Sequence, residues 1–162
     1  MPRTFASRWV GGLFLSAVFA SCAPAVGTTP AADSALPSSI VEPYIRIWDA
    51  LADDKSDNVK ANAGELATAA TALGAPAMKI QTSALQLSAA AEDDNADIEA
   101  VREKFGALSE AIDTYANGLH LKLPDGVRVA YCPMVKKPWL QKGDTIANPY
   151  YGKSMADCGN FR

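Results

Sequence analysis

The chain has 162 residues, 49% of them hydrophobic and 20% charged, a balance that fits one ordinary globular domain. Its formal charge of -3 argues against a general nucleic-acid binder, which needs a net basic surface. One histidine rules out a multi-histidine metal centre, and three cysteines are too few for a disulfide-dense scaffold.

Arg3 and Arg8 precede an apolar stretch from Trp9 to Ala20, the layout of a signal peptide over residues 1–21. That stretch is shorter than the roughly 20 residues a spanning helix needs, so it reads as export information and the protein as periplasmic. Phe19, Ala20, Ser21 and Cys22 resemble a bacterial lipobox with Phe in place of the usual Leu. The resemblance implies that Cys22 is lipidated and that the membrane is reached through this anchor alone; ordinary cleavage near Ala23 or Ala25 is the alternative. Residues 22–38 are rich in Pro, Ala, Ser and Thr, and read as a flexible tether ahead of a domain over 39–162.

Four helical patterns follow. Val41, Tyr44, Ile45, Trp48, Leu51 and Ala52 recur at three- and four-residue steps from Ile40, with Pro43 acceptable in a first turn. Val59, Ala63, Leu66, Ala70 and Leu73 form a second stripe before the stop signals Gly74 and Pro76. Ala77, Ile80, Ala84, Leu87 and Ala91 form a third, and Ile98, Val101, Phe105, Leu108, Ile112, Tyr115 and Leu119 a fourth. Short connections predict an all-α fold, an up-down four-helix bundle with a short irregular or β C-terminal hook.

The hook differs in charge. Residues 22–119 carry six basic and fifteen acidic side chains, and residues 120–162 seven and three, so the tail is expected to dock electrostatically on the bundle. Val127 to Cys132 reads as a strand after the Pro124-Asp125-Gly126 turn, and its continuation puts Cys132 and Met134 on one side. Ser154 suits the N-cap of a helical turn that carries Met155 and Cys158 on one face.

The motif at about 127–162 thus holds two pairs, Cys132 with Met134 and Met155 with Cys158. Two thiolates and two thioethers form a soft ligand set suited to Cu(I) or Ag(I) rather than Mg²⁺ or Ca²⁺. The alternative is a Cys132–Cys158 disulfide across a loop of about 25 residues, worth roughly 2–4 kcal/mol, with both methionines as packing. His120 could add a nitrogen ligand, but its place at the end of the fourth helix also suits a C-terminal cap. Trp139, Tyr150 and Tyr151 are expected to cover the join of tail and bundle. Catalysis has little support: a nucleophile needs a positioned base, and the Asp53, Asp54, Asp57 and Glu92, Asp93, Asp94 groups lie at helix junctions.

Tyr131-Cys132-Pro133-Met134, Trp139, Asn148-Pro149-Tyr150-Tyr151-Gly152, Met155 and Cys158-Gly159 resemble the tail of the domain of unknown function 3347 family. Trp48 to Asp54 and Phe105-x-x-Leu108-Ser109 resemble its helical part. Members are exported or joined to periplasmic adaptors of copper and silver efflux systems. The resemblance implies a heavy-metal binding or buffering accessory whose partner is such an adaptor or a metallochaperone. The rival reading is a structural or interaction module of the cell envelope, locked by the disulfide.

Overall fold

The computed structural model describes residues 34–92 and 96–162. The signal segment, Cys22 and most of the expected tether lie outside the described residues, as do Asp93 and Asp94. The chain is mostly helical, with a small antiparallel sheet at its C-terminus. Its elements are α1 (Ser38–Ala52), α2 (Val59–Ala72), a 3-10 turn (Ala75–Ala77), α3 (Met78–Ala90), α4 (Ile98–Gly118), β1 (Val127–Cys132), β2 (Lys137–Lys142), a second 3-10 turn (Gly152–Met155) and β3 (Asn160–Phe161). None of the described helices is long and apolar enough to cross a membrane.

α1 starts two residues before the expected Ile40, so Pro43 falls in its second turn and has no N–H for the Ser39 carbonyl. Burial holds the helix regardless: Ile40, Val41, Tyr44, Ile45, Ile47, Trp48 and Leu51 are all in the core. Asn58, in the left-handed conformation that Asn tolerates, then turns the chain into α2. Val59, Ala63, Leu66 and Ala70 of α2 and Ala77, Ile80, Ala84, Leu87 and Ala91 around α3 are buried as their periodicity requires. Asp97 caps α4 by accepting from the Glu99 N–H at 3.1 Å. That helix ends at Gly118, leaving Leu119 37% exposed, and His120 follows exposed at φ 53°.

The hook is more regular than expected. Its strands lie in the order β2-β1-β3, all antiparallel. The β1–β2 hairpin runs from Val127 opposite Lys142 to Cys132 opposite Lys137, and Ala130 and Tyr131 pair with Phe161 and Asn160. β2 packs on α4 and α1, so Gly106 and Ser109 lie on a second buried face of α4. Four rings cross this join: Tyr44 stacks on Phe105 at 5.1 Å, Phe105 meets Tyr150 at 6.0 Å, and Tyr150 meets Trp139 edge-on at 5.8 Å. The Tyr44 hydroxyl bonds Ser109 Oγ at 2.7 Å and accepts from the Leu140 N–H at 3.2 Å.

Tail cations do pair with helix carboxylates: Lys137 with Glu110 at 2.5 Å, Lys153 with Asp53 at 2.6 Å, and Lys142 with Glu42 and Arg162 with Asp113 at 3.7 Å. Three corrections concern local structure. The strand stops at Cys132, so Met134 falls in the following turn rather than beside it. The second 3-10 turn begins at Gly152, and the Ser154 hydroxyl donates back to the Tyr151 carbonyl at 2.6 Å instead of capping. The fold also begins before residue 39: Leu36 is fully buried, its N–H bonds the Lys122 carbonyl at 2.8 Å, and Lys122 returns a bond to Ser34 at 3.0 Å.

Candidate functional site

Cys132 closes β1 and is fully buried. The last β1–β3 pair, Tyr131 with Asn160, adjoins Cys132 on one strand, and Gly159 and Cys158 lead into it on the other. Gly159 permits this approach, because a Cβ there would lie 2.5 Å from the Trp139 ring and 3.2 Å from the Tyr131 carbonyl. Both cysteines are free thiols, and one side-chain amide, that of Asn148, reaches the Cys132 sulfur and the Cys158 carbonyl together. Burial pushes the Cys158 thiol above its ordinary value, and Cys132 and Asp157 push it the same way.

Asn148 lies beneath the pair, fully buried. Its Nδ2 donates to the Cys158 carbonyl at 2.5 Å and to Cys132 Sγ at 3.4 Å, while its Oδ1 accepts from the Tyr150 N–H at 2.8 Å. The surrounding loop is fixed to the helices at several points. Trp48 Nε1 donates to the Ala147 carbonyl at 2.9 Å. Arg102 donates from Nε to the Pro149 carbonyl at 3.1 Å and from one terminal nitrogen to the Leu51 carbonyl at 3.1 Å and Asp54 Oδ1 at 2.5 Å. Asp54 also accepts from the Lys153 N–H at 3.2 Å. The buried Gln141 completes the frame: its Oε1 accepts from Trp139 Nε1 at 3.0 Å and from the Ala147 N–H at 3.2 Å, and its Nε2 donates to the Thr145 carbonyl at 2.7 Å.

Of the four sulfur residues singled out in the sequence, the two cysteines come together. Met134 is 60% exposed in the β1–β2 turn and Met155 is 36% exposed at the end of the second 3-10 turn. Among the described residues there is no group of three or more His, Cys, Asp or Glu side chains that could hold a metal ion. What the arrangement offers is a two-sulfur site, enough for a soft monovalent cation and too few donors for tetrahedral zinc. Trp139 and Tyr150 cover the join as expected, with Tyr151 partly buried beside them. A groove of about 620 Å³ between the hook and α3–α4 has mixed charge, including Lys79, Lys136, Arg162, Glu110 and Asp113.

Asn148, Gln141 and Arg102 were not singled out by sequence reasoning as site residues. Asn148 stood in the Asn-Pro-Tyr-Tyr-Gly run but carried only a turn signal, and Arg102 adjoins the apolar stripe of α4 as any solvated charge does.

A family model described as Protein of unknown function (DUF3347) matches residues 40–122, slightly more than half of the chain. The chain belongs to this family. The DUF3347 match runs from α1 through α4 and stops before β1, so membership rests on the helices, including Trp48 to Asp54 and the Phe105 to Ser109 segment. The cysteines and the Asn-Pro-Tyr-Tyr-Gly loop lie beyond the DUF3347 match. No curated protein and no solved structure matches the chain.

Proposed function

We propose that this protein binds or buffers a soft monovalent metal ion, Cu(I) or Ag(I), as an exported accessory of an envelope efflux system. The observation that supports this is the pair of adjacent free thiols, Cys132 and Cys158. Thiolates select such ions by softness, and two of them suffice for a linear site. Met134 and Met155, exposed on the same hook, are available thioether donors when an ion is handed over. No turnover is involved: the ion exchanges between ligands and leaves to a periplasmic adaptor or metallochaperone. Cys22 carries the lipid anchor in this reading, and the bundle presents the hook. An up-down arrangement of the first three helices is supported by the bonds from Arg46 to Glu65, from Gln81 to the Thr71 hydroxyl, and from the Ser88 hydroxyl to the Lys60 carbonyl.

The test is anaerobic Cu(I) titration of the chain in a Cys22→Ser background against a competing chelator, with free thiols counted before and after reduction. One-to-one binding lost in Cys132→Ser and Cys158→Ser supports the reading. Because Cys132 is buried beside Cys158, the same pair also supports the second reading, a structural or interaction module stapled by a Cys132–Cys158 disulfide. Two unreactive cysteines in native material, with no binding after reduction, would establish that reading and reject the first.

A further inference from the structure

The orientation of the Asn148 amide is fixed by its neighbours. The Tyr150 N–H can only donate, so the atom 2.8 Å from it is Oδ1, and Nδ2 must face the Cys158 carbonyl and Cys132 Sγ. Its two hydrogens are then both used, one on each of the two chain segments that carry a cysteine. The backbone of the same residue ties the loop shut: the Asn148 N–H donates to the Ala156 carbonyl at 2.8 Å, and its own carbonyl accepts from the Gly152 N–H at 3.0 Å.

A turn alone does not require this residue. The bond from the Tyr150 N–H to Oδ1 is an Asx turn, which Asp makes equally well and Ser makes more weakly. The amide nitrogen is surplus to that turn, and both of its bonds go to the sulfur site.

We propose that Asn148 is the positioning residue of the thiol pair: its amide nitrogen holds the end of β1 and the Cys158 segment together and keeps an N–H on the Cys132 sulfur when that sulfur is ligated. This deepens the metal-binding reading, and its metal arm rests on that reading. Partners of this kind orient metal ligands, and their loss costs about 10–100-fold in metal affinity.

The test compares Asn148→Ser with Asn62→Ala in the full chain, in a Cys22→Ser background. Serine keeps an oxygen for the Tyr150 N–H and loses both amide donors. Asn62→Ala removes another buried amide, whose partners are Arg46 and the Asn58 carbonyl, away from the hook, and so controls for general loosening of the fold.

The first readout needs no metal. In a glutathione buffer, Cys132 and Cys158 pass two electrons and two protons to glutathione disulfide, giving a Cys132–Cys158 bond and two glutathione thiols. The equilibrium constant measures how well the thiols are placed. Asn148→Ser is expected to lower it at least about tenfold and Asn62→Ala by less than about threefold, with the Cu(I) dissociation constant rising about 10–100-fold in Asn148→Ser alone. Equal shifts in the two variants, or none in Asn148→Ser, overturn the proposal. Absence of Cu(I) binding by the parent chain, with the glutathione equilibrium still dependent on Asn148, rejects the metal reading and leaves the positioning role standing. Should Asn148→Ser fail to fold, the Asn148 side-chain amide resonances of the parent chain decide the matter: they shift on addition of Ag(I) or on oxidation of the thiols, and unchanged resonances under both treatments overturn the proposal.

Discussion

Arg102 is where α1, α4 and the hook meet. Its side chain is only 10% exposed, and its planar fork serves the Leu51 and Pro149 carbonyls and Asp54 at once, a geometry that a lysine ammonium cannot reproduce. Arg102→Met strands two carbonyls and a carboxylate, and is expected to cost roughly 2–4 kcal/mol in urea unfolding, with Arg102→Lys recovering less than half. The acidic partners give this corner a pH dependence. Hydrogen bonds from Lys153 and Lys55 hold the Asp53 carboxyl down at about 2, against an ordinary value of 3.8, and Arg102 lowers Asp54 in the same direction. The unfolded chain therefore takes up protons at these carboxyls before the folded one does. Their contribution is complete above about pH 4 and is lost as the pH falls toward 2, so Tm should drop across that window. An Asp53→Asn, Asp54→Asn double variant should show a shallower drop in the same thermal scans.

The loop between β2 and β3 depends on Gly152. It has φ 53°, and a Cβ there would lie 1.8 Å from Asp54 Oδ1 and 2.3 Å from an Arg102 nitrogen. Gly152→Ala combines left-handed strain with a clash against the Asp54–Arg102 pair, and should destabilise by roughly 2–4 kcal/mol and alter the near-ultraviolet circular dichroism of Trp48 and Trp139. The helices were legible in the sequence because their apolar residues recur at the helical period, most clearly where charged neighbours separate them, as for Val101, Phe105, Leu108 and Ile112. β2 was not, since it is covered by β1 and by the helices, and Pro138 to Gln141 are buried in succession with no alternation to read. The second face of α4 was equally silent: Gly106 and Ser109 are small, and their burial follows from β2 lying across them. The soft pair of cysteines was visible as composition. Its closeness depends on the fit of Gly159 to Trp139 and on Asn148, contacts that no local spacing encodes.

At the scale of the molecule, the fold is closed by a short segment that composition alone assigned to the tether. Leu36 is 1% exposed, and Ala35 bridges in parallel to Lys122, so the first described residues brace the start of the tail. Leu36→Ala is expected to cost about 2–4 kcal/mol by differential scanning calorimetry or urea unfolding, as a buried leucine does. This brace also gives the molecule a polarity. The chain comes into the fold beside Lys122, just past the C-terminal end of α4, whereas Arg102, near the opposite end of the same helix, grips the loop that lies under the thiols. At 1.5 Å per residue, Arg102 and Gly118 stand about 24 Å apart along the axis. The point where the chain enters the fold and the loop that anchors the thiols therefore lie toward opposite ends of α4, so a change made at one is separated from the other by most of the length of that helix.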